Sequence, residues 1–125
     1  MAHGRLTRNI RFGGLHNVRV FKLALSETRA SRKLVLRHPD AVSQSAHLAD
    51  DPGPSEIVET VEYDQLATKE ELGVSRVVKI DVEGHEFAAL KGRKGTLSSP
   101  MCAATFCAIH PSMLASDVGA PRLLS

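Results

Sequence analysis

The sequence predicts an α/β chain, and three observations predict it. Val77-Val78-Lys79-Ile80-Asp81-Val82 is an apolar, β-branched run of buried-strand type. Gly84 follows, with a segment carrying Phe87, Ala88 and Leu90 toward a core at helical spacing. Residues 101–109 then form a second apolar run. Strand, turn, helix and strand in that order make a βαβ unit, whose strands lie parallel. Because residues 77–82 lack the alternation of a half-exposed strand, they are expected to be central and buried, with strands over 18–25 and 105–109 on either side.

The remaining elements follow from local pattern. Leu6, Ile10 and Phe12 suit the end of an amphipathic helix that Gly13-Gly14 stops. Residues 18–25 are rich in β-branched and apolar types and end at Ser26-Glu27-Thr28, which predicts a strand and a turn. Residues 32–37 surround Leu34-Val35-Leu36, and residues 57–63 alternate Val with Glu, so the two read as an antiparallel hairpin inserted beside the main sheet. The segment between them is rich in Ser, Ala, Asp, Gly and Pro, with Asp51-Pro52-Gly53-Pro54 as a breaker, and residues 39–55 are expected to be a flexible loop. Asp64 is positioned to cap a helix over 65–72, which Gly73 closes in the left-handed conformation. Gly92 and Gly95 loosen the end of the helix after Gly84, and His110-Pro111 turns the chain into a last short helix.

Length and composition bound the rest. A chain of 125 residues supports one modest core, hence a single domain over 1–125. Sixteen Lys plus Arg against fourteen Asp plus Glu leave a charge of +2 with the signs interspersed, which argues against nucleic-acid and membrane partners. The basic stretch 29–37 is interrupted by Leu34, Val35 and Leu36 and reads as a strand with a solvated face. No apolar run approaches the roughly 20 residues that cross a bilayer. Cys102 and Cys107 cannot make a disulfide framework, and no secretory leader pattern opens the chain, so a soluble, cytoplasmic protein is expected. Both cysteines read as small buried hydrophobes.

The chemistry concentrates around one glycine. Asp81 ends an apolar strand, and Glu83, His85 and Glu86 follow within a turn. One account is structural: Gly84 permits the tight turn, and carboxylates are favoured near a helix start. The other is functional: a carboxylate at a strand's end can take a proton from a substrate hydroxyl. Asp81 and Glu83 share a face if both stay extended, but His85 belongs to the following helix and has no second histidine at helical spacing, so no metal is expected. His110, at the carboxyl end of the last strand, can face the same cleft and serve as an acid or base. His3, His16, His38 and His47 are scattered and receive no role.

Several blocks, taken in order, resemble the FkbM family of S-adenosylmethionine-dependent methyltransferases. They are Leu6-Thr7-Arg8-Asn9, Asn17-Val18-Arg19-Val20 leading to Ala24-Leu25-Ser26-Glu27, Asp64-Gln65-Leu66, and Val78-Lys79-Ile80-Asp81-Val82-Glu83-Gly84-His85-Glu86 with Leu90-Lys91-Gly92. The resemblance runs from Leu6 to about Leu114, and residues 39–54 contribute nothing to it. It implies a partial Rossmann-like class I methyltransferase sheet with flanking helices and a β-hairpin insertion. It also implies S-adenosylmethionine as cofactor and a small-molecule or glycan hydroxyl as acceptor. By position, Leu25 and Ser26 would bind the cofactor beside its adenine, while Asp81 and Glu83 would face the transferred methyl, with Asp81 the first choice of base. The strand, glycine-rich turn and acidic strand end with which the family begins do not precede Leu6, so an N-terminally truncated domain is expected. Gly13-Gly14 follows a helix and precedes a strand, the reverse of the order that aims a helix start at a ligand. Where relatives carry a Glu two residues before the His-Pro pair, this chain has Ala108. The alternative is a catalytically inert fragment serving as an interaction or oligomerisation module, with an unpaired sheet edge offering a site for a second copy.

Overall fold

The computed structural model describes residues 2–36, 46–48 and 52–110. Helix α1 (Ala2–Phe12) ends where the sequence places its stop. The Leu15 N–H reaches the Ile10 carbonyl at 3.1 Å and the Gly14 N–H the Arg11 carbonyl at 3.1 Å, with Gly14 at φ 62°. This pair of bonds closes a helix around a left-handed residue and satisfies carbonyls that would otherwise be orphaned.

Four strands then form one sheet in the order β1-β4-β2-β3, from β1 (Ala24–Leu25), β2 (Ala30–Leu36), β3 (Ala46–Leu48) and β4 (Ser55–Val61). The expected hairpin is present: β2 and β4 run antiparallel from Ala30↔Thr60 to Val35↔Ser55. Thr60, buried at its foot, accepts the Ala30 N–H at 2.9 Å and lies 2.9 Å from the Thr28 carbonyl, pinning the turn after β1. The loop expected over 39–55 needs correction, because Ala46–Leu48 pairs with β2 as strand β3. Residues 39–45 and 49–51 of the expected loop lie outside the described residues.

The strand expected over 18–25 shrinks to Ala24–Leu25, which runs parallel to β4 rather than beside the central run. Side chains hold the segment before it. The Arg19 guanidinium bonds the Glu70 carbonyl at 2.8 Å and its carboxylate at 2.9 Å, and stacks 5.2 Å from the Phe21 ring centroid.

Helix α2 (Tyr63–Lys69) starts earlier and stops sooner than the pattern implies. Its N-cap is Glu62, and the residue that closes it is Glu71 at φ 51°, with Gly73 left-handed as expected, at φ 70°, two residues later. The Leu72 N–H reaches the Ala67 carbonyl at 2.9 Å, the same closure that ends α1. Asp64 caps a different helix. Its carboxylate accepts the Gly95 N–H at 2.7 Å, the Thr96 N–H at 3.0 Å and the Thr96 hydroxyl at 2.6 Å. It therefore serves the start of α4 (Lys94–Leu97) and ties α2 to it.

The βαβ unit is present as β5 (Val77–Ile80), α3 (Glu86–Lys91), α4 and β6 (Ala104–Cys107), with β5 and β6 parallel from Val77↔Ala104 to Ile80↔Cys107. Its central placement is corrected: among the described residues β5 pairs with β6 alone, and Val77 is 62% exposed while Ile80 is buried. Two small sheets thus stand where one continuous Rossmann-like sheet is expected. Among the described residues β1 pairs with β4 alone, and the Ser26 N–H continues that ladder to the Val61 carbonyl at 2.9 Å. The last helix expected after Pro111 lies outside the described residues.

Buried apolar side chains are Val35, Leu66, Ile80 and Ala89, and buried polar ones are Ser26, Thr60, Glu86 and Arg93. The inner face of α3 and the turn after it is thus Glu86, Ala89 and Arg93, where the sequence expects Phe87, Ala88 and Leu90. Gly92 makes this possible. A Cβ there would meet the Ser26 carbonyl oxygen at 1.9 Å and the Glu62 Cα at 3.2 Å, so three backbone segments approach at a point only glycine leaves open.

A carboxylate and histidine cluster at the strand ends

The residues after β5 turn sharply. Glu83 and Gly84 both have positive φ, 51° and 93°, and the His85 N–H points back to the Val82 carbonyl at 3.4 Å. Left-handed backbone at two successive residues is the geometry of a tight reversing turn, and it costs about 1–2 kcal/mol at a residue with a Cβ. The turn breaks the extended geometry that would have aligned Glu83 with Asp81 along a strand. It also sets Glu86 at the first helical position of α3 with no solvent exposure.

Glu86 organises what surrounds it. Its Oε1 accepts the Gly84 N–H at 2.9 Å and lies 2.6 Å from His110 Nδ1. A carboxylate oxygen only accepts, so Nδ1 carries the proton and the far nitrogen, Nε2, faces outward. Glu86 Oε2 is buried without a hydrogen-bond partner. His110 Nε2 stands 3.8 Å from Asp81 Oδ1 and 3.8 Å from Glu83 Oε1. The three ligand-type atoms lie within 4.8 Å of one another, at the carboxyl ends of both parallel strands. The Asp81 side chain is 45% exposed, with Lys79 Nζ at 3.6 Å, so it faces solvent at the strand edge and not the core.

The two histidines near Gly84 titrate in opposite directions. The hydrogen bond to Glu86 pushes His110 above the ordinary imidazole range; desolvation opposes it, and the charges of Glu83, Glu86 and Asp81 add to it. Burial pushes His85 below that range, assisted by Arg32 and opposed by Glu27 and Glu86. His85 does not join the carboxylates. Its Nε2 lies 3.1 Å from Ser26 Oγ, so it ties the reversing turn to the end of β1. Cys107 is pushed up by burial and then by the charges of Glu86 and Asp81, which keeps it a thiol.

Asp81, Glu83 and His110 therefore come together, while the Ser26 hydroxyl lies against His85 instead. Ser26 is buried, with its N–H and hydroxyl both engaged. Sequence reasoning assigned no role to Glu86. The available signal was an acid in the inward stripe 86, 89, 93, where an apolar residue is the default. Two surface hollows of about 460 and 270 Å³ border α2 and include none of Asp81, Glu83 or His110. The strand-end cluster outweighs them as a candidate site, because its charged groups converge and theirs do not.

The family model described as a methyltransferase FkbM domain matches residues 14–119. No curated protein and no solved structure gives a significant match. No described helix is long and apolar enough to cross a membrane.

Proposed function

The chain belongs to the FkbM methyltransferase family, and from that premise we propose that it methylates a hydroxyl of a sugar, polyketide or other small molecule, with S-adenosylmethionine as donor. The observation that carries this reading is the convergence of Asp81, Glu83 and His110 at the carboxyl ends of two parallel strands, where ligands gather in open α/β sheets. The donor supplies a methyl group already activated on a sulfonium, which leaves the protein to align the acceptor and receive its proton. A hydroxyl seated against Asp81 gives that proton to the carboxylate, with Glu83 as the neighbouring acceptor. His110, held through Nδ1 by Glu86, faces both carboxylates through Nε2 and bounds the place where the acceptor would sit.

Leu25 and Ser26 would hold the adenine end of the donor, and the fit is partial. Leu25 is half-buried at the end of β1 and can form an apolar wall. Ser26 has spent its N–H on Val61 and its hydroxyl on His85, so it contributes by fixing the position of the reversing turn.

The test is transfer of labelled methyl from millimolar donor to a panel of hydroxylated acceptors. Asp81→Asn is expected to lower the rate by about 10²–10⁴-fold, the usual contribution of a positioned base. A wild-type rate in Asp81→Asn, or no transfer to any hydroxyl by the folded chain, sinks the reading. A second reading, an interaction module, draws on Val77, Met101 and Phe106, which are 58–64% exposed on and beside the β5–β6 pair. Self-association by light scattering in a chain that transfers no methyl would favour it.

A further inference from the structure

The β5–β6 pair brings three side-chain atoms of metal-ligand type together at the carboxyl ends of its strands. Asp81 Oδ1, Glu83 Oε1 and His110 Nε2 form such a trio. The two separations from Nε2 are 3.8 Å, too long for direct hydrogen bonds, and all three atoms fall within 4.8 Å. We infer that Asp81, Glu83 and His110 form a binding site for a divalent transition-metal cation of the Mn²⁺ or Zn²⁺ class.

The spacing suits a shared ion. Imidazole nitrogen and carboxylate oxygen bind such ions at roughly 2.0–2.2 Å, so two donors on one ion stand up to about 4 Å apart. The exposed side chain of Asp81 can rotate to close the remaining distance. The donor set selects the class: imidazole suits transition metals, whereas Mg²⁺ and Ca²⁺ prefer oxygen throughout. The independent observation is Glu86. Histidines that bind metals usually give their other ring N–H to a carboxylate, which fixes the tautomer and raises ligand basicity. Glu86 does this to His110 at 2.6 Å from a position with no solvent exposure, and its second oxygen is buried and unpartnered. Glu86 also accepts the Gly84 N–H at 2.9 Å, so one buried carboxylate fixes both the turn that carries Glu83 and the imidazole that faces it.

Three protein ligands leave coordination positions open to water or to a hydroxyl, whose proton a bound cation makes easier to remove. That role rests on the methyl-transfer reading above, whereas cation binding itself does not. Binding is therefore measured on the full chain with neither donor nor acceptor present, by loss of the free Mn²⁺ electron paramagnetic resonance signal and by calorimetry with Zn²⁺. One saturable site per chain is expected. Asp81→Asn and His110→Gln should weaken it at least tenfold, and Glu86→Gln by about 10–100-fold through His110. Glu59→Gln, on β4 and away from the cluster, should leave it unchanged. Circular dichroism checks that each variant is folded. If a variant is not, the wild-type titration still decides, because absence of a saturable site for both ions overturns the inference. So does a site that persists in folded Asp81→Asn and His110→Gln. Binding without methyl transfer would leave the cation site standing and overturn the enzymatic reading alone.

Discussion

At the residue scale, Gly92 and Glu86 show how single positions carry more than their local propensities. Gly92 has ordinary right-handed backbone, φ −69° and ψ −1°. By propensity alone, replacing it with alanine next to a helix would stabilise the chain by about 0.4–1 kcal/mol. The contact argument has the opposite sign, because the added Cβ would lie 1.9 Å from the Ser26 carbonyl oxygen, a backbone atom that cannot swing aside. Gly92→Ala is therefore expected to destabilise by about 1–3 kcal/mol, as overpacking does. The measurement is the urea unfolding midpoint, and an unchanged or raised midpoint would refute the close approach. Glu86 is the complementary case: a residue of high helix propensity at a helix start, it is held inward by the Gly84 N–H and by His110.

At the element scale, α4 has four residues and depends on a carboxylate from another helix. Asp64 is partly buried, which by itself raises its pKa, but the hydrogen bonds from the Thr96 hydroxyl and from the Gly95 and Thr96 N–H groups, with the charge of Arg93, bring it below the ordinary value. A carboxylate depressed on folding contributes stability that is present above its unfolded pKa of about 4 and is lost as pH falls through the folded value. Asp64→Ala should thus lower stability by about 0.5–2 kcal/mol at neutral pH, the usual worth of a capping side chain. The gap from wild type should narrow as pH falls below about 4. Urea midpoints across that range test this, and a gap independent of pH would mean that the cap acts by packing alone. The same element shows why a pattern reading misassigned Asp64. An aspartate just before an apolar helical stretch looks like that helix's cap, and only the packing of α2 on α4 reveals whose N–H groups it serves.

At the scale of the whole molecule, the family match covers residues 14–119, while the strands among the described residues form two small sheets. Among the described residues, the paired glycines at 13 and 14 close α1 rather than leading a strand into a helix. Gly13-Gly14 therefore does not supply the contacts that a glycine turn between strand and helix makes to a nucleoside-bearing donor. Losing two or three hydrogen bonds at about 0.5–1.5 kcal/mol each weakens binding by one to a few powers of ten. Calorimetric titration of the purified chain with S-adenosylmethionine is expected to give a dissociation constant weaker than about 100 μM. Low-micromolar binding would show that Leu25, Ser26 and their neighbours suffice.

The sequence by itself determined the α/β class, the parallel βαβ unit, the β2–β4 hairpin, the stop after α1 and the family. Each of these is written in short-range pattern: runs of β-branched residues, alternation of Val with Glu, a glycine pair, and the block from Lys79 to Glu86. It also placed Asp81, Glu83 and His110 at strand ends, since two parallel strands in one unit bring their carboxyl ends to one edge. Tertiary structure alone decided which strand pairs with β1, which helix Asp64 caps, and that His110 rather than His85 faces the carboxylates. These outcomes depend on register between segments tens of residues apart and on the left-handed turn at Glu83-Gly84. That turn sends His85 toward Ser26 and Glu86 inward, and neither direction is encoded in the identity of the residues that move.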